Sequence, residues 1–157
     1  MIQKSKHPFR VLLLLLLSLF SMGELTAQEG LKTNSIFEKY GKEKGATMVV
    51  LSGKALYEHR LDRYQGITLV VDKDILHEIQ YCLEADKKQA RQIKEVISDG
   101  MITSGYYQLG EEDERVKRYI LYKMGNDGTA TLIYLEGGAE SEELVNRLFI
   151  KKRQPTD

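Results

Sequence analysis

Apolar and polar positions divide the chain into one uninterrupted apolar run and a series of short periodic segments. The run is "VLLLLLLSLF", residues 11–20, broken only by Ser18. Beyond it, Leu31, Ile36, Phe37 and Tyr40 fall near helical spacing and predict a first helix over 31–44, stopped by Gly45. "ATMVVLSG", 46–53, has consecutive apolar residues and reads as a strand with both faces apolar. The segment 54–65 allows a short amphipathic helix, because Leu56, Tyr57, Leu61 and Tyr64 recur at intervals of three and four. "GITLVVD", 66–72, is rich in β-branched residues and reads as a second strand.

The longest periodic segment is 74–100. Ile75, Ile79, Cys82, Leu83, Ala90, Ile93, Val96 and Ile97 recur mostly at three and four. The spacing predicts a helix with a polar waist, or two helices breaking near Ala85–Asp86, with Asp72 or Asp74 as the cap and Gly100 as the end. Three strand-like runs come next, at 101–109, 116–124 and 129–136. Asp127-Gly128 suits the tight turn between the last two. Ser141, Glu142 and Glu143 begin a final helix over 141–152, and 153–157 reads as a disordered tail. Without the ambiguous segment the order is α-β-β-α-β-β-β-α. This is an α+β fold: an antiparallel or mixed sheet of about five strands with helices packed on one face.

The apolar run changes meaning when its flanks are included. Lys4, Lys6 and Arg10 precede it, and the small, polar "SMGELTAQEG" comes after it. A membrane-spanning helix needs about 17–25 apolar residues, so this run is too short. Together the three parts match a secretory signal peptide, with cleavage expected after Ala27. The expected division is therefore a signal peptide at 1–27 and one α+β domain at 28–157, with no stable membrane span after cleavage.

Charge then narrows the partners. The whole chain has 23 basic and 23 acidic residues. Residues 1–27 hold three bases and one acid, so their removal takes the formal net charge from +0 to −2. A mildly acidic chain lacks the concentrated basic face that nucleic acid requires, and no nucleic-acid partner is expected. The single cysteine, Cys82, forms no internal disulfide, so the fold must stand on packing.

Candidate chemistry is sparse. No Gly-x-Ser-x-Gly elbow is present. Cys82 sits in register with Ile79 and Leu83, where a cysteine behaves as a small hydrophobe. His59 and His77 are the histidines beyond the leader, and no metal-ligand spacing joins them. Asp72 and Asp74 begin like a calcium loop but lack its remaining ligands, and helix capping explains them. "LSGKAL" has Met48 where a phosphate loop needs Gly, and Ala55 where it needs Ser or Thr. The acids of "LGEEDER", 109–115, lie between two strand-like runs and read as a solvated hairpin connection. No cofactor, metal ligand or catalytic residue is expected. Tyr106, Tyr107, Tyr119, Tyr122 and Tyr134 all fall in the β-rich segment and are the candidate binding residues, since a tyrosine-bearing sheet face can hold a flat ligand or partner.

The signal ending "LTAQ", 25–28, and the opening "IFEKYGKEKGATMVVLSGKAL", 36–56, resemble small secreted proteins of unknown function in Bacteroidetes. The resemblance extends over about 36–136 and implies a Gram-negative envelope context, in the periplasm or at the cell exterior. It supplies no catalytic residues. The sequence thus leads to an exported, non-catalytic binding domain with another envelope protein as its partner. A small periplasmic hydrolase using carboxylates or His77 is the competing reading.

Overall fold

The computed structural model describes residues 30–110 and 115–138. The expected leader, the expected last helix and tail, and the acidic positions 111–114 lie outside the described residues. Two α-helices, α1 (Asn34–Tyr40) and α2 (Lys73–Asp86), accompany six strands. The strands are β1 (Ala46–Ser52), β2 (Leu61–Val70), β3 (Ala90–Ser98), β4 (Met101–Leu109), β5 (Lys117–Met124) and β6 (Thr129–Gly137). They form one antiparallel sheet in the order β1-β2-β6-β5-β4-β3. The α+β class holds. The sheet has six strands where about five were expected, and the element order is different.

The extra strand comes from the segment read as one long helix. Asp72 does cap α2: its Oδ1 accepts from the backbone amides of Asp74 (3.0 Å) and Ile75 (2.9 Å). The helix ends at Asp86, a single 3-10 turn occupies Lys87–Gln89, and the chain becomes β3. The break near Ala85–Asp86 is real, but it leads into a strand and not into a second helix. Helical spacing misled here for a physical reason. Strand β3 is an edge, and its pairing with β4 shifts register between Ala90 and Gln92 and again between Val96 and Ile97. Ile93, Val96 and Ile97 are all exposed, so no buried face imposes a two-residue period on β3, and their spacing mimics a helix face. Gly100 is not a helix stop. Asp99 and Gly100 both have positive φ (52° and 75°) and close the β3–β4 hairpin as a two-residue turn.

A second correction concerns 54–65. Residues Gly53–His59 form a 3-10 segment, and β2 begins at Leu61 rather than at Gly66. The first helix is also shorter than expected, Asn34–Tyr40 against 31–44.

The two sheet faces carry separate apolar clusters. Ile36, Phe37 and Tyr40 of α1 and Ile79, Cys82 and Leu83 of α2 pack on one face, against Ile67, Leu132, Tyr107 and their neighbours. Full burial of such side chains stabilises by about 1.5–3 kcal/mol each. On the opposite face Leu56, from the 3-10 segment, joins Leu61, Tyr106, Tyr119, Leu121 and Leu135.

Polar contacts fix the helices in place. The Asp86 carboxylate accepts the amides of Lys32 (2.7 Å) and Thr33 (2.8 Å) and the Thr33 hydroxyl (2.8 Å). That ties the end of α2 to the start of α1. Gln80 exchanges two 2.9 Å hydrogen bonds with the backbone of Ile102, which ties α2 to β4. Glu78 Oε2 accepts from Lys39 Nζ (2.7 Å) and Tyr40 Oη (2.6 Å), and these donors hold its carboxyl below the usual glutamate range.

Candidate functional site

Edge strands expose unpaired backbone groups, and folded proteins normally blunt them with charge, bulges or cover. The two edges of this sheet differ. Strand β3 carries Arg91, Lys94 and Glu95 together with its two register shifts. Strand β1, "ATMVVLS", carries no charge, and its seven residues pair with β2 without a shift. Its apolar side chains remain in solvent on both faces: Val50 is 56% exposed, Val49 43% and Leu51 39%. Among the described residues no strand pairs with its outer side.

Behind this edge lies a cavity of about 320 Å³, lined by Phe37, Glu38, Gly41, Lys42, Met48 and Gln65. The cavity sits where the end of α1 meets β1 and β2. Met48 Sδ occupies the space where a Cβ on Gly41 would be, so the glycine lets the chain leaving α1 approach β1. Any side chain there would displace Met48 or the Phe37 carbonyl. Gln65 is 7% exposed, and its buried Oε1 has no hydrogen-bond partner among the described residues. An unpaired buried amide costs about 1–3 kcal/mol, so this position departs from the usual rule that buried polar groups are satisfied.

Register connects cavity and edge. Val50, Gln65, Tyr134, Ile120, Tyr107 and Ile93 are successive cross-strand partners on the helix-covered face. Gln65 is thus one strand in from Val50. Its other neighbour, Tyr134, is buried and donates to Glu136 Oε2 at 2.9 Å.

The five tyrosines singled out in the sequence divide between the two faces. Tyr107, Tyr122 and Tyr134 belong to the helix-covered cluster, and Tyr106 and Tyr119 to the other. All five are buried. Tyr106 and Tyr119 stack in a tilted pair with ring centroids 5.9 Å apart, and Lys94 Nζ lies 5.9 Å from the centre of the Tyr106 ring. Tyr107 donates to Glu95 Oε1 at 2.7 Å and lies across Gly105, where a Cβ would meet the phenol at 2.5 Å. Burial pushes the Tyr107, Tyr122 and Tyr134 phenols up.

Groups considered for catalysis are not brought together at the cavity. His59 and His77 are exposed, His59 in the 3-10 segment and His77 on α2, and neither lines the cavity. Cys82 is buried 3.7 Å from the Ser35 hydroxyl, and burial pushes its thiol up, away from the thiolate a nucleophile requires. Among the described residues no group of three or more His, Cys, Asp or Glu side chains could hold a metal ion. No described helix is long and apolar enough to cross a membrane.

The edge and the cavity went unnoticed in the sequence. The apolar run in β1 gives a strand with two apolar faces, and only its position at the sheet boundary reveals exposure. The absence of any charge between Ala46 and Ser52 was the available signal.

No curated protein matches the chain. A family model described as a family of unknown function, DUF6108, matches residues 20–148, and the chain belongs to that family.

Proposed function

We propose that this chain is an exported, non-catalytic binding domain that takes an extended segment of another envelope protein as an added strand on β1. The carrying observation is the uncharged, unbulged β1 edge with exposed Val49, Val50 and Leu51. Strand addition supplies affinity through main-chain hydrogen bonds and selectivity through the alternate side chains. An apolar edge left bare in water invites aggregation, so a physiological occupant explains its persistence. The leader pattern at 1–27 supports export to the periplasm or cell exterior, where the partner is another envelope protein.

Two experiments test the two halves. N-terminal sequencing of the protein recovered from its host should begin at Gln28, whereas a chain still starting at Met1 refutes export by cleavage. For binding, the double variant Val49→Lys/Leu51→Lys places charge on the edge without touching the helix-covered core. It should fold normally and lose binding of a blocked strand-forming peptide, Ac-Thr-Val-Thr-Val-Tyr-Val-Thr-Val-Thr-NH2. Undiminished binding by this variant places the site elsewhere.

A further inference from the structure

The sheet face turned away from the helices is graded along its strands. Nearest the end of β6, Tyr64, Leu135 and Tyr119 are successive cross-strand partners, and the next row is Ile133, Leu121 and Tyr106. The row after that is polar: Thr68, Thr131, Lys123 and Ser104, with the two threonine hydroxyls 3.0 Å apart. Burial follows the same gradient. Tyr119 and Leu135 are 0% exposed, Leu121 1% and Tyr106 4%, whereas no residue of the polar row is buried.

Neighbouring strands shield a sheet residue from the sides only, so side chains at this depth have something lying over them. Among the described residues, Leu56 of the 3-10 segment is the one side chain from outside the strands in this cluster. One leucine does not cover two tyrosine rings, each of which buries about 150–250 Å². The remaining cover comes from chain outside 30–110 and 115–138. Residues 111–114 are all acids and suit no apolar face. The leader at 1–27 is removed in the export reading. That leaves 139–157.

Sequence and geometry both favour this segment. Leu144, Val145, Leu148 and Phe149 fall on one side of a helix over 141–152, with Glu143 and Arg147 on the other. Such a helix is about 18 Å long. The face from β2 across β6 and β5 to β4 is about 14 Å wide. The chain also leaves the sheet at the right end. Gly137 closes β6 between Leu61 and Lys117, next to the buried rows, and a Cβ on it would meet the Arg60 carbonyl and Leu61 Cα.

We propose that 141–152 docks across this face as an amphipathic helix, lays Leu144, Leu148 and Phe149 on Tyr119, Leu121 and Leu135, and closes the face to partners. The inference is separate from strand addition. It gives the second face an occupant from the chain itself and leaves the β1 edge as the surface open to a foreign segment.

The test uses the protein recovered from its host, labelled at leucine methyls and tyrosine rings, as wild type, Leu148→Met, Arg147→Asp and Leu144→Asp/Leu148→Asp. Among the nuclear Overhauser contacts of the Tyr119 ring, one set should vanish in Leu148→Met. The double aspartate variant should exchange its β5 and β6 amides at least about tenfold faster than wild type, and Arg147→Asp should not. A full set of Tyr119 contacts retained in Leu148→Met overturns the inference. So does wild-type exchange in a folded double variant. If the double variant does not fold, the Leu148→Met contacts decide alone. Ring contacts with Leu12–Leu17 of an uncleaved leader, or contacts seen only between molecules in a mixed-label sample, assign the cover to the leader or to a second copy and overturn it. Strand addition is read separately, from protection of 46–52, so either idea can fail without the other.

Discussion

The carboxylate of Asp86, at the end of α2, accepts both the backbone amide and the hydroxyl of Thr33, each at 2.8 Å, across 53 residues of sequence. Both residues are buried. Together with the Lys32 amide at 2.7 Å, this makes Asp86 the anchor for the chain leading into α1, the helix that roofs the cavity behind β1. Asp86→Ala leaves two amides and a hydroxyl without their acceptor and should cost about 3 kcal/mol in urea denaturation. Thr33→Val removes only the hydroxyl bond and should cost about 1 kcal/mol. In the Asp86→Ala background Thr33→Val should cost little more, because the bond is already gone. Additive losses would show that the two residues act separately.

Gln65→Met should raise stability. Replacing an unsatisfied buried amide by an apolar group of similar shape removes a desolvation cost, and a gain of about 1 kcal/mol in chemical denaturation is expected. A loss of stability in this variant would show that Gln65 Oε1 is satisfied in the native protein.

Alkaline pH should unfold the protein through its buried phenols. Burial raises the folded-state values of Tyr107, Tyr122 and Tyr134 above the ordinary 10.0. The unfolded chain therefore loses these protons first, so the stability is fully present below about pH 10 and falls as pH rises beyond it. In a variant with the exposed Tyr57 and Tyr81 changed to Phe, phenolate absorbance from the buried rings should appear together with loss of the native circular dichroism, rather than before it. Tyr134→Phe should make the decline shallower by one proton. Ionisation of Tyr107, Tyr122 or Tyr134 in the intact fold would contradict the account.

The β4–β5–β6 meander was legible in the sequence because its strands are internal. Each is flanked on both sides, β5 reads as the near-continuous apolar run of a strand buried on both faces, and Asp127-Gly128 marks a turn. The two edges were harder to read. Strand β3 leaves Ile93, Val96 and Ile97 exposed, so burial imposes no strand period on them, and Asp99-Gly100, an equally good turn pair, was masked by the helical spacing that precedes it. Strand β1 was placed correctly and both its faces are apolar, yet its exposure was not legible, since a run such as "MVVL" looks the same in a core and at a solvent edge. The cavity was invisible for a different reason. Gln65 acquires its significance only from its place beside α1, a helix well before it in the chain. The division of the five tyrosines between two faces was not legible either, because their frequency along the sequence says nothing about which face each side chain takes.

Amide hydrogen exchange over Ala46–Ser52, with and without the tyrosine-bearing nonapeptide, tests strand addition most directly. The outer backbone groups of β1 gain partners only if a new strand joins the sheet, so selective slowing across these residues is the expected result, with β3 unchanged. Unaltered exchange in β1 when the peptide is bound would contradict the central claim.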